Sequence, residues 1–131
     1  MVISLDVGGS YIKTAIIENG VLIEELNNQF ESKSSEEKDT ILDHFVNIIN
    51  IKHADYLKFK KLSGGERHID KRIGIGFAFP GPFDYKRGIS YIKGLNKFES
   101  LYGVNVLDEI IKRLQKTELS LRQFCNLCGG H

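Results

Sequence analysis

At 131 residues the chain is long enough for one globular domain with a sizeable core and short for two. Hydrophobic residues at 41%, charged residues at 27% and two prolines exclude a disordered or fibrous chain, and 18 Lys/Arg against 17 Asp/Glu leave no clustered basic face for a nucleic acid. No apolar run reaches the roughly 20 residues that span a bilayer, no basic leader precedes the first strand-like segment, and Cys125 and Cys128 are too few for a disulfide framework, so a cytoplasmic chain with reduced thiols is expected.

Val2, Ile3, Leu5 and Val7 mark a mostly buried first strand that ends at Gly8-Gly9-Ser10. Tyr11 to Glu18 is rich in β-branched residues. Asn19-Gly20 then supplies the two positive φ values of a type I′ hairpin, so Val21 to Phe30 returns as a third strand of an antiparallel meander. Ser34 and Glu37 form a capping box for a helix that carries Ile41, Leu42, Phe45, Ile48 and Ile49 at helical spacing and ends near Lys52. Lys58 to Arg72 holds Ser63-Gly64-Gly65 without a sustained period and reads as a loop. Ile73 to Phe79 is an apolar run stopped by Pro80-Gly81-Pro82, which suits a buried strand and an abrupt turn. Tyr85 to Gly88 makes a further turn, Ile89 to Ile92 a further strand, and Val106, Leu107, Ile110, Ile111 and Leu114 the apolar face of a second helix starting near Asn105. Strands first and helices between later strands give a mixed α/β sheet without an internal repeat.

The chemistry concentrates in Asp6-Val7-Gly8-Gly9-Ser10-Tyr11-Ile12-Lys13, where a strand-end carboxylate, a two-glycine turn, a hydroxyl and a lysine fall within eight residues. Glycines allow close backbone approach, so successive N–H groups and the Ser10 hydroxyl can face phosphate oxygens. Asp6 cannot hold phosphate, but it can hold a hydrated Mg²⁺, an ion that keeps several waters and contacts one or two carboxylates plus the phosphates. A plain hairpin with Gly-Gly at its tip, Asp6 as a turn acceptor and Lys13 solvated is the bland alternative. The order strand, turn, strand is neither a P-loop nor a dinucleotide-binding fingerprint.

That octet resembles DxGGTxxK, the first phosphate motif of the ROK (repressor, open reading frame, kinase) family in the sugar-kinase, Hsp70 and actin superfamily, with Ser10 in the threonine's place. Gly74-Ile75-Gly76-Phe77-Ala78-Phe79-Pro80-Gly81-Pro82 is similar to the family's GIGxxxPGP strand and turn, and the two motifs together span about 80 residues. Gly94-Leu95-Asn96 through Leu101-Tyr102-Gly103 resembles, more loosely, the segment that leads to the family's next helix. The resemblance implies a ribonuclease H-like (actin-like ATPase) fold, here as an N-terminal lobe over residues 1–120. It implies ATP and Mg²⁺ at Asp6, Gly8, Gly9, Ser10 and Lys13, and a hexose near Pro80, Gly81, Pro82 and Asn126. Full-length relatives are bilobal, meet ATP and sugar in the cleft between the lobes and commonly form homodimers.

The family places its catalytic aspartate in an Asn-Asp pair. Phe124-Cys125-Asn126 resembles the approach to that pair, but Leu127 stands in the aspartate's position and cannot accept a proton. No catalytic residue is therefore assigned, and residues 121–131 are expected to be an aberrant or frayed tail of a truncated or frameshifted reading, in preference to a deliberate N-terminal domain. Cys125, Cys128 and His131 supply three of the four ligands that structural zinc needs, and His44, His53 and His68 have no partners at metal spacing. The leading reading is the first lobe of an ATP-dependent hexose kinase that does not turn over alone. A non-catalytic nucleotide- or sugar-binding remnant is the alternative. The sugar-sensing domain of a ROK repressor is disfavoured, since the chain starts five residues ahead of Asp6, leaving no room for a helix-turn-helix.

Overall fold

The computed structural model describes residues 1–65, 68–69, 72–114 and 123–124. β1 (Val2–Val7) and β2 (Tyr11–Glu18) pair antiparallel from Val2↔Ile17 to Val7↔Ile12, and β1 also pairs in parallel with β5 (Gly74–Ala78) from Val2↔Gly74 to Asp6↔Ala78. A parallel neighbour needs a crossover connection. α1 (Lys38–Leu62) provides it, packed over the sheet face that carries Ile3, Leu5, Val7, Ile12, Ile16, Ile75 and Phe77. Gln123–Phe124, within the stretch expected as a tail, forms a two-residue strand, β8, parallel to β5. The sheet is thus mixed, as expected, and among the described residues no helix is long and apolar enough to cross a membrane.

The hairpin forms as its chemistry predicts, with Asn19 at φ 52° and Gly20 at φ 75°. The return strand does not stay whole. β3 (Val21–Leu22) pairs with Ile17 and Glu18, a 3-10 turn at Glu24–Leu26 intervenes, and β4 (Asn28–Glu31) pairs with Tyr11 to Thr14. The interruption serves Lys52, a fully buried lysine of α1 whose Nζ donates to the Leu26 carbonyl and Asn28 Oδ1 and lies 3.6 Å from Asp55. A buried ammonium must be hydrogen-bonded or it costs several kcal/mol, and the interruption leaves the Leu26 carbonyl, just ahead of β4, to accept from Lys52.

Two expectations for α1 are corrected. The helix runs to Leu62, ten residues past Lys52, so Lys58 to Leu62 are helical and the expected loop starts later. Its N-cap is Glu37, not Ser34, and forms no side-chain capping bond; the Ser34 hydroxyl donates to Gly9 O instead. The far end of α1 is held by Tyr56, fully buried, and by Lys60, which donates to Glu18 at 3.0 Å while the Tyr56 hydroxyl donates to the same carboxylate. Burial pushes the Glu18 carboxyl up, but the bonds from Tyr56 and Lys60 and the Lys60 charge outweigh it and leave its pKa below the ordinary value. A carboxyl depressed in the fold contributes stability above its unfolded pKa and loses it as pH falls through the folded value. Glu18→Gln is expected to cost about 1–2 kcal/mol at neutral pH and progressively less below about pH 4; urea midpoints at both pH values test this, and an equal loss at each would refute it.

β6 (Phe83–Asp84) and β7 (Ile89–Ser90) form a separate two-stranded sheet. α2 (Val106–Leu114) follows, capped by Asn105 Oδ1, which accepts the Asp108 N–H at 3.0 Å. Arg113 of α2 donates to Asp39 and Asp43 of α1 and to Glu109 of its own helix, at 2.8, 2.9 and 2.6 Å, and ties the two helices together.

Candidate functional site: the glycine turn and its neighbours

Register alone puts the motif residues on defined faces. Asp6, opposite Lys13, belongs with Ser4, Ala15, Gly74, Gly76 and Ala78 on the sheet face away from α1. Asp6 and Lys13 are both exposed, neither forms an ion pair among the described residues, and together with Ser4, Thr14, Ala15 and Asn27 to Gln29 they line an open depression of about 590 Å³. Between the strands, the Gly8 N–H closes the turn onto the Tyr11 carbonyl at 2.8 Å. The Gly9 and Ser10 N–H groups have no acceptor among the described residues.

The Gly9 and Ser10 carbonyls are both engaged. Gly9 O accepts the Ser32 and Ser34 hydroxyls, each at 2.6 Å, and Ser10 O accepts the Ser32 N–H at 2.9 Å. Two serines following β4 therefore hold the Gly9 and Ser10 carbonyls, while the N–H groups of the same two residues keep no acceptor among the described residues. The apparent capping serine is part of this support. A capping hydroxyl accepts an N–H from the first turn of its helix, whereas the Ser34 hydroxyl donates to Gly9 O.

Pro80-Gly81-Pro82 is equally braced. Gly81 sits at φ 75°, a value that favours glycine. The Tyr85 hydroxyl accepts the Phe79 N–H at 2.9 Å, Tyr91 N–H donates to Pro82 O at 3.0 Å, and Phe79 and Phe83 stack at 4.3 Å across the turn. A chain of rings runs from there into the core, with Phe45 of α1 packed edge-on against both Phe77 and Phe79 at 5.7 and 5.9 Å.

The loosely matching stretch proves to join the two motifs. A Cβ placed on Gly81 would stand 3.2 Å from Leu95 Cδ1, and one placed on Gly9 would stand 2.7 Å from Lys97 Cδ and 3.2 Å from its Nζ. Asn96 and Phe98 hold positive φ angles of 54° and 56°, and Glu99 Oε1 accepts the N–H groups of Gly94 and Asn96. The Phe98 N–H donates to Ser34 O at 2.7 Å, and the Phe98 ring is buried beside Phe45 at 6.4 Å. Lys97, which lies in neither principal motif, is thus brought over the glycine turn by a loop fastened to the same serine that holds the turn.

Asn126, Leu127, Cys125, Cys128 and His131 lie outside the described residues. Among the described residues no group of three His, Cys, Asp or Glu side chains could hold a metal ion. His44 Nε2 bonds the Glu31 carbonyl at 2.6 Å, and burial pushes the His53 pKa down.

No protein-family model and no curated protein matches the chain. Solved structures share its fold, among them two sugar-kinase structures. A putative sugar kinase from Cytophaga hutchinsonii ATCC 33406 aligns with 96% of the chain at TM-score 0.54 and 20% identity, and the Lmo2764 protein from Listeria monocytogenes, a putative N-acetylmannosamine kinase, with 95% at TM-score 0.50 and 20% identity. The chain spans about a third of each, 35% and 34% of their lengths. The fold is therefore that of a part of these sugar-kinase structures.

Proposed function

We propose that the chain is the phosphate-gripping first lobe of an ATP-dependent hexose kinase of the ROK type, with an actin-like ATPase architecture. One observation carries this reading: the Gly9 and Ser10 N–H groups have no acceptor among the described residues, in a glycine turn whose Gly9 and Ser10 carbonyls are held by Ser32 and Ser34. Adjacent unengaged N–H groups in a turn form a concavity suited to anionic oxygens, and a merely structural hairpin has no need of three serine bonds to hold it. The residues fit the group that the reading requires. Gly9 and Ser10 would receive phosphate oxygens, the Ser10 hydroxyl would add a donor, and Lys13 would add positive charge. The exposed Asp6 carboxylate would hold Mg²⁺ through its waters, a mode in which one carboxylate suffices when phosphates complete the shell. Bound Mg-ATP supplies the transferable phosphoryl group and the charge neutralisation.

The other motif serves positioning. Pro80, Gly81 and Pro82, with Asn126, would line the hexose side, and the aromatic clamp on the Pro-Gly-Pro turn gives the rigidity that a near-attack geometry demands. No described residue is assigned as the base that takes the sugar's hydroxyl proton. Leu127, at the position of the family's aspartate, favours a second reading in which the chain binds nucleotide or sugar without turnover.

Both readings predict phosphate contact at the same amides. In a ¹⁵N-resolved titration of the chain with Mg-ATP, the Gly9 and Ser10 amide signals are expected to move saturably with a dissociation constant of about a millimolar or weaker, equivalent to only about 4 kcal/mol, because one lobe supplies half of a cleft. Absence of movement at both amides at about 10 mM nucleotide would overturn the proposal.

A further inference from the structure

We propose that Lys97 is a phosphate-contacting residue of the glycine turn, delivered by the Gly94 to Phe98 loop to a place beside the free Gly9 and Ser10 amides. The inference rests on the phosphate reading of that turn and adds to it the cation that completes the anion site. Three observations carry it.

The first is contact. The Lys97 stem crosses Gly9 so closely that a single added methyl group would meet its Cδ at 2.7 Å, with Nζ only 3.2 Å from the same point. The absence of a side chain at Gly9 is what admits the lysine. The second is availability. Lys97 is partly buried, yet among the described residues its ammonium has neither a carboxylate nor a carbonyl partner. The ordinary fate of a half-buried lysine is to find one, as Lys60 finds Glu18 and Lys52 finds Leu26 and Asn28. The third is delivery. Lys97 lies between two residues at positive φ, Asn96 and Phe98, in a loop closed by Glu99 and anchored through Phe98 N–H to Ser34, whose hydroxyl holds Gly9. Non-glycine residues at positive φ cost energy and persist where surrounding structure demands them. Here the outcome of that geometry is an ammonium set beside Gly9, whose N–H, like that of Ser10, has no acceptor among the described residues.

A lysine at this place acts as a point charge on a flexible stem, suited to terminal phosphates of a nucleoside triphosphate. With its Nζ 3.2 Å from where a Cβ on Gly9 would stand, the ammonium is within reach of oxygens received by the turn.

The test is a ¹⁵N-resolved titration with sodium tripolyphosphate at two salt concentrations, comparing the wild-type chain with Lys97→Met, Lys97→Gln and Lys97→Arg. Methionine keeps an unbranched stem over Gly9 and removes the charge, and glutamine removes the charge with a different stem. Both neutral variants are expected to bind about tenfold more weakly with a shallower dependence on salt, and Lys97→Arg to stay within about threefold of wild type. If wild type and both neutral variants bind alike while Gly9 and Ser10 still shift, Lys97 has no phosphate role and the turn keeps its own. If the wild-type Gly9 and Ser10 signals stay still, the phosphate reading and the Lys97 inference fall together.

Discussion

Replacing Phe45 by alanine is expected to remove about 3–5 kcal/mol of stability, a large share of the roughly 5–15 kcal/mol that a domain possesses. Phe45 is fully buried in the N-terminal third of α1 and meets Phe77, Phe79 and Phe98, so one ring contacts β5, the residue before Pro80 and the residue after Lys97. Its truncation leaves a void bounded by three aromatic faces that belong to different elements and cannot close together. The same change should therefore loosen both motif loops as well as the core. Denaturant unfolding of wild type and Phe45→Ala measures the first effect, and amide exchange at Phe79 and Phe98 the second. A loss under about 1 kcal/mol would mean that the ring cluster does not organise the core.

Gly9→Val is expected to reduce tripolyphosphate affinity by at least about tenfold while leaving the fold in place. Gly9 is not among the glycines at positive φ, so valine meets no forbidden backbone there. The cost is local crowding: the new Cβ stands 2.7 Å from the Lys97 Cδ and displaces that side chain, and the added methyl groups fill space beside the Gly9 amide. Gly20→Ala is the matched control. Gly20 lies at φ 75° with open space around it, so alanine there costs about 1 kcal/mol through backbone conformation and leaves phosphate contact unchanged. Gly9→Val binding as tightly as wild type would remove the turn from the site.

The parts of this molecule that local rules govern were legible before any coordinates. Val2–Val7, Tyr11–Glu18 and Gly74–Ala78 carry strand patterns, Asn19-Gly20 forms the hairpin, and Val106–Leu114 has a clean apolar face. What failed depends on partners distant in sequence. α1 was read ten residues short because Lys52, His53, Asp55 and Lys58 break the apolar spacing, and nothing near Lys52 discloses that Leu26 and Asn28 await its ammonium. The same pairing breaks the expected third strand. Ser34 satisfied the rule for a cap, yet Gly9, 25 residues earlier, holds its hydroxyl. The acid, glycine and hydroxyl cluster of the site was readable as a motif. Lys97 was not, because Asn96 and Phe98 give no local sign of left-handed backbone, and its approach to Gly9 exists only once the loop is folded.

The parallel pairing of β1 with β5 has an outcome for synthesis. Val2 to Val7 can zip to Tyr11 to Glu18 almost as soon as both emerge, but its other border waits for Gly74 to Ala78, on the far side of the 25-residue α1. At roughly 5–20 residues per second of elongation, a bare apolar ribbon border stays open to strangers for on the order of several seconds. Nascent chains on crowded polysomes should therefore cross-pair with each other most readily before Ala78 clears the exit tunnel, and slowing translation upstream of that point should lower soluble yield more than slowing it afterwards.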